Sequence, residues 1–167
     1  VRFEQQALMQ GAANAAHEKE KFSDLDASFR AAAAAVSRLD AEVAAVRKKL
    51  MQKGFFDNTL VVLLSTNGML LGRHGLWSDA RASTPPNLYE EVVQAPMIWS
   101  WPGRVPVQSI RPELTASYDL LPSLCEAAGV EAPAGLPGRS YLSLVTSRAM
   151  PKGETWRDLA FSRFEDT

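Results

Sequence analysis

Residues Thr59–Trp77, TLVVLLSTNGMLLGRHGLW, decide how the rest of the chain is read. Leu60 to Leu64 is an unbroken apolar run of leucine and valine, set between Asp57-Asn58 and Asn67-Gly68. A short apolar run closed at both ends by turn residues predicts a strand buried on both faces. Ser65, Thr66, Asn67 and Gly68 fall where that strand ends. Open α/β sheets bind ligands at the carboxyl ends of their strands, and short polar side chains there reach a metal or an anion without entering the sheet. The run GMLLGRHG then delivers Arg73 and His74 to the same place. The plainer alternative is a strand followed by an ordinary turn, with Asn67 in the left-handed conformation that asparagine tolerates.

Upstream, Ser23 is the expected N-cap of a helix whose first turn carries Asp24 and Asp26. Phe29, Val36, Leu39, Val43, Val46 and Leu50 recur at helical spacing on one face, Arg47 to Lys49 suit the negative end of the helix dipole, and Gly54 supplies the stop. A coiled coil competes with this reading. The Ala31–Ala35 run and the strand directly afterwards favour a helix packed on a sheet. Before it, Val1 to Lys21 is rich in alanine and glutamine with a thin apolar stripe interrupted by Gly11. That composition predicts a helical arm over residues 1–22, with His17 solvated among Glu18, Lys19 and Glu20.

Downstream, the segment from Gly68 to Asn87 contains Pro85-Pro86 and predicts a long loop, a feature that is usually functional in a compact domain. Glu90 and Glu91 are adjacent and so face apart, which points to a solvated pair or one structural salt bridge rather than acid/base chemistry. Met97 to Trp101 predicts a strand closed by Pro102-Gly103, with Trp99 and Trp101 on one face. Leu114 to Ser117 predicts a further short strand. Asp119 then caps a helix that runs to Ala128 and is ended by Gly129, and Arg157 to Phe164 predicts a last strand.

At 167 residues, 46% hydrophobic and 22% charged, the chain suits one domain with a substantial core. A net charge of −1 argues against a nucleic-acid surface. No apolar run approaches membrane-spanning length, and nothing near Val1 has the pattern of a signal peptide. Starting at Val rather than Met, the sequence reads as a fragment or processed product. The single cysteine, Cys125, lies in an apolar helical stretch and reads as an inert buried thiol, which leaves the compartment open.

Five ordered pieces, FFDNTLVVLLSTNG, LLGRHGLW, LYEEVVQAPMIWSWPGRVP, SYDLLPSLCEAAGV and GLPGRSYLSL, give Phe55 to Val145 a resemblance to the second half of a sulfatase catalytic domain, in the alkaline-phosphatase-like superfamily. RLDAEVAAVRKKL extends it back over Ser28 to Gly54. The resemblance implies an α/β fold, with residues 23–167 forming the latter half of such a domain around a mostly parallel sheet flanked by helices. It also implies hydrolysis of a sulfate ester on a small molecule or glycan. By that resemblance, the hydrated form of a formylglycine made from a C/S-x-P-x-R motif attacks sulfur, calcium is held by acidic and amide oxygens, and lysine and histidine bind the sulfate.

Measured against that pattern, the formylglycine motif and the first pair of metal aspartates are absent. At the second metal pair Asn67 matches, while Thr66 stands where the family has aspartate. Asp79 stands at the family's lysine position and would repel sulfate, so Arg73 or Arg81 is the candidate replacement cation. His74 matches the GxHG histidine, and it either faces the site or holds the loop by a backbone hydrogen bond. Two readings follow: a half-domain that needs an upstream nucleophile-bearing half, or a non-catalytic remnant serving as a binding or assembly module. A free-standing α/β interaction domain ranks behind both. On each reading the chain alone does not turn over substrate.

Overall fold

The computed structural model describes residues 15–147, 153 and 155–163. In chain order the helices are α1 (Ala15–Ser23), α2 (Leu25–Gln52), α3 (Glu90–Val93), α4 (Leu120–Ala128) and α5 (Leu142–Thr146). The strands are β1 (Val61–Leu64) and β2 (Met97–Ser100), and short 3-10 turns cover Phe56–Asn58, Arg73–Gly75, Ala80–Ala82 and Ser117–Asp119. Two compact units form. One gathers the described residues of Val1–Phe56, Leu63–Ile98 and Ser162–Thr167; the other gathers those of Asp57–Val62 and Trp99–Phe161. No helix among the described residues is long and apolar enough to cross a membrane.

In the first unit, the cap of α2 is Asp24 rather than Ser23. Ser23 closes α1, its hydroxyl donating to Glu20 O, while Asp24 leaves the helical region and its carboxylate accepts from Ala27 N at 2.9 Å. Adjacent capping residues compete, and the carboxylate wins the helix end with its added charge–dipole attraction. At the other end Gly54 does stop the helix: its φ is +70°, and Phe55 N reaches back to Leu50 O at 3.0 Å. The predicted burial of the apolar face against a sheet is not seen for Val36, Leu39 and Val46, which remain exposed. Phe29 meets Trp77 edge to face at 5.0 Å.

The segment after β1 is not a structureless loop. Leu70 N donates to Ser78 O, Leu71 N to Trp77 O and Gly72 N to Leu76 O, a ladder that folds the segment on itself. Leu70, Leu76, Ala80, Ala82 and Val92 bury together as a small core, with Tyr89 against it. Glu18, which the sequence reading passed over, is fully buried. Its carboxylate accepts from Trp77 N, Ser78 N and the Ser78 hydroxyl. These donors satisfy a charge that could not otherwise leave water.

The sheet corrects the expectation of a mostly parallel one. β1 and β2 form a two-stranded antiparallel pair. Gly68 N donates to Val92 O at 2.8 Å and Ser65 N to Pro96 O at 3.0 Å, so the chain re-enters beside the end of β1 and β2 must run back along it. β1 is half-buried and its last residue, Leu64, is exposed, so it is not covered on both faces among the described residues.

In the second unit the predicted strands at Leu114–Ser117 and over residues 157–163 do not form, and Phe164 lies outside the described residues. Both segments are instead drawn to Asp119. Its buried carboxylate accepts from Ala116 N at 2.8 Å, Arg139 N at 3.0 Å and Arg157 Nη2 at 2.6 Å. Asp119 is therefore structural, but not as the expected helix cap: its side chain caps no N–H of α4 and turns back to Ala116. Ser123 Oγ donates to Asp119 O and accepts from Tyr141 N, and Gly129 at φ +69° ends α4. Burial pushes the Tyr141 phenol up to about 12.

Replacing Glu18 with alanine strands two buried amides and is expected to cost about 3 kcal/mol. Replacing Asp119 with alanine leaves the Arg157 charge and two amides unanswered, at roughly 3–5 kcal/mol. Urea denaturation of each variant beside the wild type measures both losses.

Candidate functional site

The strand-end turn is tied by its own side chains. Ser65 Oγ donates to Asn67 O at 2.7 Å, Thr66 Oγ1 to Asn67 Oδ1 at 3.0 Å and Asn67 Nδ2 to Gly68 O at 2.7 Å. Asn67 is not among the residues with positive φ, so the left-handed alternative for it does not hold. Gly68 is required for close approach instead. A Cβ there would lie 1.9 Å from Glu91 O and 2.9 Å from Gln94 O, both backbone atoms. The turn thus packs directly on α3.

That packing sets Glu91 opposite the tip of the folded segment. Arg73 Nη1 donates to Glu91 Oε1 at 2.9 Å, and His74 Nε2 lies 3.1 Å from Glu91 Oε2. The Arg73 guanidinium, a backbone hydrogen bond and His74 together hold the Glu91 carboxyl down at about 2. His74 stacks on Tyr89 with ring centroids 3.9 Å apart and planes 9° from parallel. Its backbone is left-handed, at φ 54° between Gly72 and Gly75, a conformation that costs a side-chain-bearing residue about 1 kcal/mol or more. Of the two expectations for the paired glutamates, a solvated pair or one structural salt bridge, Glu91 forms the salt bridge; the stacking of Tyr89 carried no local signal.

Asp79 and Arg81 form a separate pair. Arg81 Nη2 donates to Asp79 Oδ2 at 2.7 Å and Nε to Oδ1 at 3.2 Å, and Asp79 also caps the turn by accepting from Arg81 N. The Arg81 hydrogen bond holds the Asp79 carboxyl below its usual range. The repulsion expected at position 79 is thereby answered locally, and Arg81 is largely committed to doing so. Arg73 is the more open cation, with 71% of its side chain exposed.

The donor set at the strand end does not fit a calcium site. Thr66 and Asn67 offer neutral oxygens, Asn67 Oδ1 already accepts from Thr66, and no group of three or more His, Cys, Asp or Glu that could hold a metal ion occurs among the described residues. Hard cations depend on carboxylates that this turn does not provide.

Comparison with known proteins bears on the same segments. Residues 72–166 match the family model described as N-sulphoglucosamine sulphohydrolase, C-terminal. The chain is 28% identical over 131 residues to an N-acetylglucosamine-6-O-sulfatase of Bacteroides thetaiotaomicron, covering 78% of this chain and 22% of the relative. It is 30% identical over 118 residues to a choline-sulfatase of Rhizobium meliloti, covering 71% and 22%. An enzyme solved in complex with its substrate D-glucosamine-2-N,6-O-disulfate superposes with a TM-score of 0.64 at 27% identity, over 73% of this chain and 23% of that one. A phosphonate monoester hydrolase of Silicibacter pomeroyi superposes with a TM-score of 0.59 at 28% identity, over 71% and 21%. The chain spans about a fifth of the length of the curated relatives it matches. With the strand-end turn, the GxHG tip and the Asp119 turn in family order, the chain belongs to the sulfatase family and corresponds to the C-terminal part of its catalytic domain.

Proposed function

We propose that this chain is the C-terminal portion of a sulfatase whose nucleophile and metal carboxylates are supplied by an upstream half, and that the complete enzyme hydrolyses a sulfate ester on an amino sugar. The observation that carries the reading is the ordered tip, where Arg73 and His74 converge on Glu91 beside the turn from Ser65 to Gly68. A folded, charged tip at a strand end can hold an anion by hydrogen bonds from its cations. The matched family model and the solved relative's substrate support an amino-sugar sulfate as the ligand class. Any calcium would have to be held by carboxylates of the upstream half, because Thr66 and Asn67 do not fit it. Arg73, which gives Glu91 a single Nη1 bond and keeps other guanidinium donors, is the cation we assign to the sulfate, and Arg81, which gives Asp79 both Nε and Nη2, is assigned to neutralising Asp79.

The second reading, a non-catalytic binding or assembly module, draws on the Asp79–Arg81 pair and on Thr66 in place of a carboxylate. The coding sequence immediately upstream of Val1 separates the two. A C/S-x-P-x-R motif with paired aspartates is expected there, and a start codon directly before Val1 would favour the module. The purified chain is expected to release no sulfate from glucosamine-2-N,6-O-disulfate; turnover by the chain alone overturns the half-domain reading.

The tip is also expected to respond to acid. The Glu91 carboxyl falls from an ordinary 4.5 to about 2 on folding, so the unfolded chain takes up the proton first. Its stabilising contribution is complete above 4.5 and is lost as pH falls through about 2. The difference in melting temperature between wild type and Glu91→Gln is expected to close as pH falls through that window.

A further inference from the structure

We propose that Glu91 is the positioning residue of this tip: it fixes the His74 imidazole as the Nε2–H tautomer and leaves Nδ1 as the atom presented to a sulfated ligand. The ligand class rests on the sulfatase reading above; the tautomer rests on geometry alone.

The two oxygens of Glu91 divide their work. Oε1 accepts from Arg73 Nη1 at 2.9 Å, and Oε2 lies 3.1 Å from His74 Nε2. An ionised carboxylate accepts hydrogen bonds and donates none. The Arg73 guanidinium keeps this carboxylate ionised down to about 2, so whenever the bond exists the proton is on Nε2. In the neutral ring Nδ1 then carries the lone pair. When the ring is protonated Nδ1 becomes a donor, with Glu91 balancing the imidazolium and Arg73 balancing Glu91.

Two further constraints hold the ring. Tyr89 stacks on it at 3.9 Å and 9° from parallel. The backbone beneath is locked by the ladder from Leu70 N–Ser78 O to Gly72 N–Leu76 O, which obliges His74 to stand at φ 54°. A residue kept in a costly conformation by everything around it is a signature of a placed side chain. The imidazole nevertheless keeps 41% of its side-chain surface open. An oriented histidine whose second nitrogen is held by a carboxylate is the arrangement by which proteins assign one ring nitrogen to a ligand.

Long-range proton–nitrogen correlation spectra of the histidine-labelled chain, recorded where the ring is neutral, test this directly. The chain has two histidines, and His17→Gln assigns the signals. His74 is expected to show two widely separated nitrogen shifts, protonated-type at Nε2 and lone-pair-type at Nδ1. In Glu91→Gln, whose amide can either donate or accept, the two shifts are expected to draw together. In Arg73→Ala, which keeps the carboxylate, they are expected to stay apart. A proton on Nδ1 in the wild type, or an unchanged fixed tautomer in a folded Glu91→Gln chain, overturns the proposal. A fixed tautomer whose Nδ1 signal ignores inorganic sulfate in spectra recorded where the ring is protonated, so that Nδ1–H can donate, supports the positioning and overturns instead the ligand-facing role of His74.

Discussion

The contact on which the first unit depends is the approach of Gly68 to the backbone of α3. There is no room for a side chain: Glu91 O occupies the place where a Cβ would stand. With the turn pressed against α3 and Gly68 N bonded to Val92 O, the chain leaves α3 next to Ser65, and β2 pairs back along β1. The same contact brings the carboxylate of Glu91 within reach of Arg73 and His74. Strand direction, helix placement and the charged tip are three results of one steric fact. Hydrogen bonds within the turn then fix its detail, since Ser65, Thr66 and Asn67 satisfy one another over a few atoms.

The second unit is built on a comparable economy, with charge in place of sterics. Asp119 gathers Ala116, Arg139 and Arg157 around one buried carboxylate, and Gly138 makes this possible because a Cβ there would lie 2.0 Å from Tyr118 O. Trp156 is held under Arg139 at 3.7 Å and donates to Leu114 O. Segments that alternate like strands are thus recruited as arms of an ion-pair network. A carboxylate with three donors tolerates burial that an unpaired one would not.

Local chemistry was legible in the sequence wherever one residue could decide the outcome. Gly54 and Gly129 end their helices because their positive φ suits glycine, and β2 forms where the apolar run predicts it, from Met97 to Ser100. Sequence fell short where two residues offered the same service, as with Ser23 and Asp24. It fell short again where a distant partner overrode propensity, as with Arg157, whose ion pair with Asp119 replaces the predicted strand. Strand direction was beyond it, because direction follows from a close approach that only the folded backbone reveals. At the tip, the residue types were visible but their pairing was not. Arg73, His74 and Glu91 meet across a sequence gap of 17 or 18 residues, and no pattern of spacing marks Tyr89 as the ring beneath His74.

Glu18 grips the amides of Trp77 and Ser78 across a separation of 59 and 60 residues, whereas the ion pairs at Glu91 span only 17 or 18. Closing so long a span costs chain entropy before it returns any bonding. The ladder from Leu70 to Ser78 is local and can assemble early, whereas its outer end is finished only when α1 arrives. Contacts of that range slow folding and form late. The order of assembly therefore runs against the order of the chain: α1, which precedes the ladder in sequence, completes it from outside. The charged tip then becomes rigid only once most of its unit has already been made.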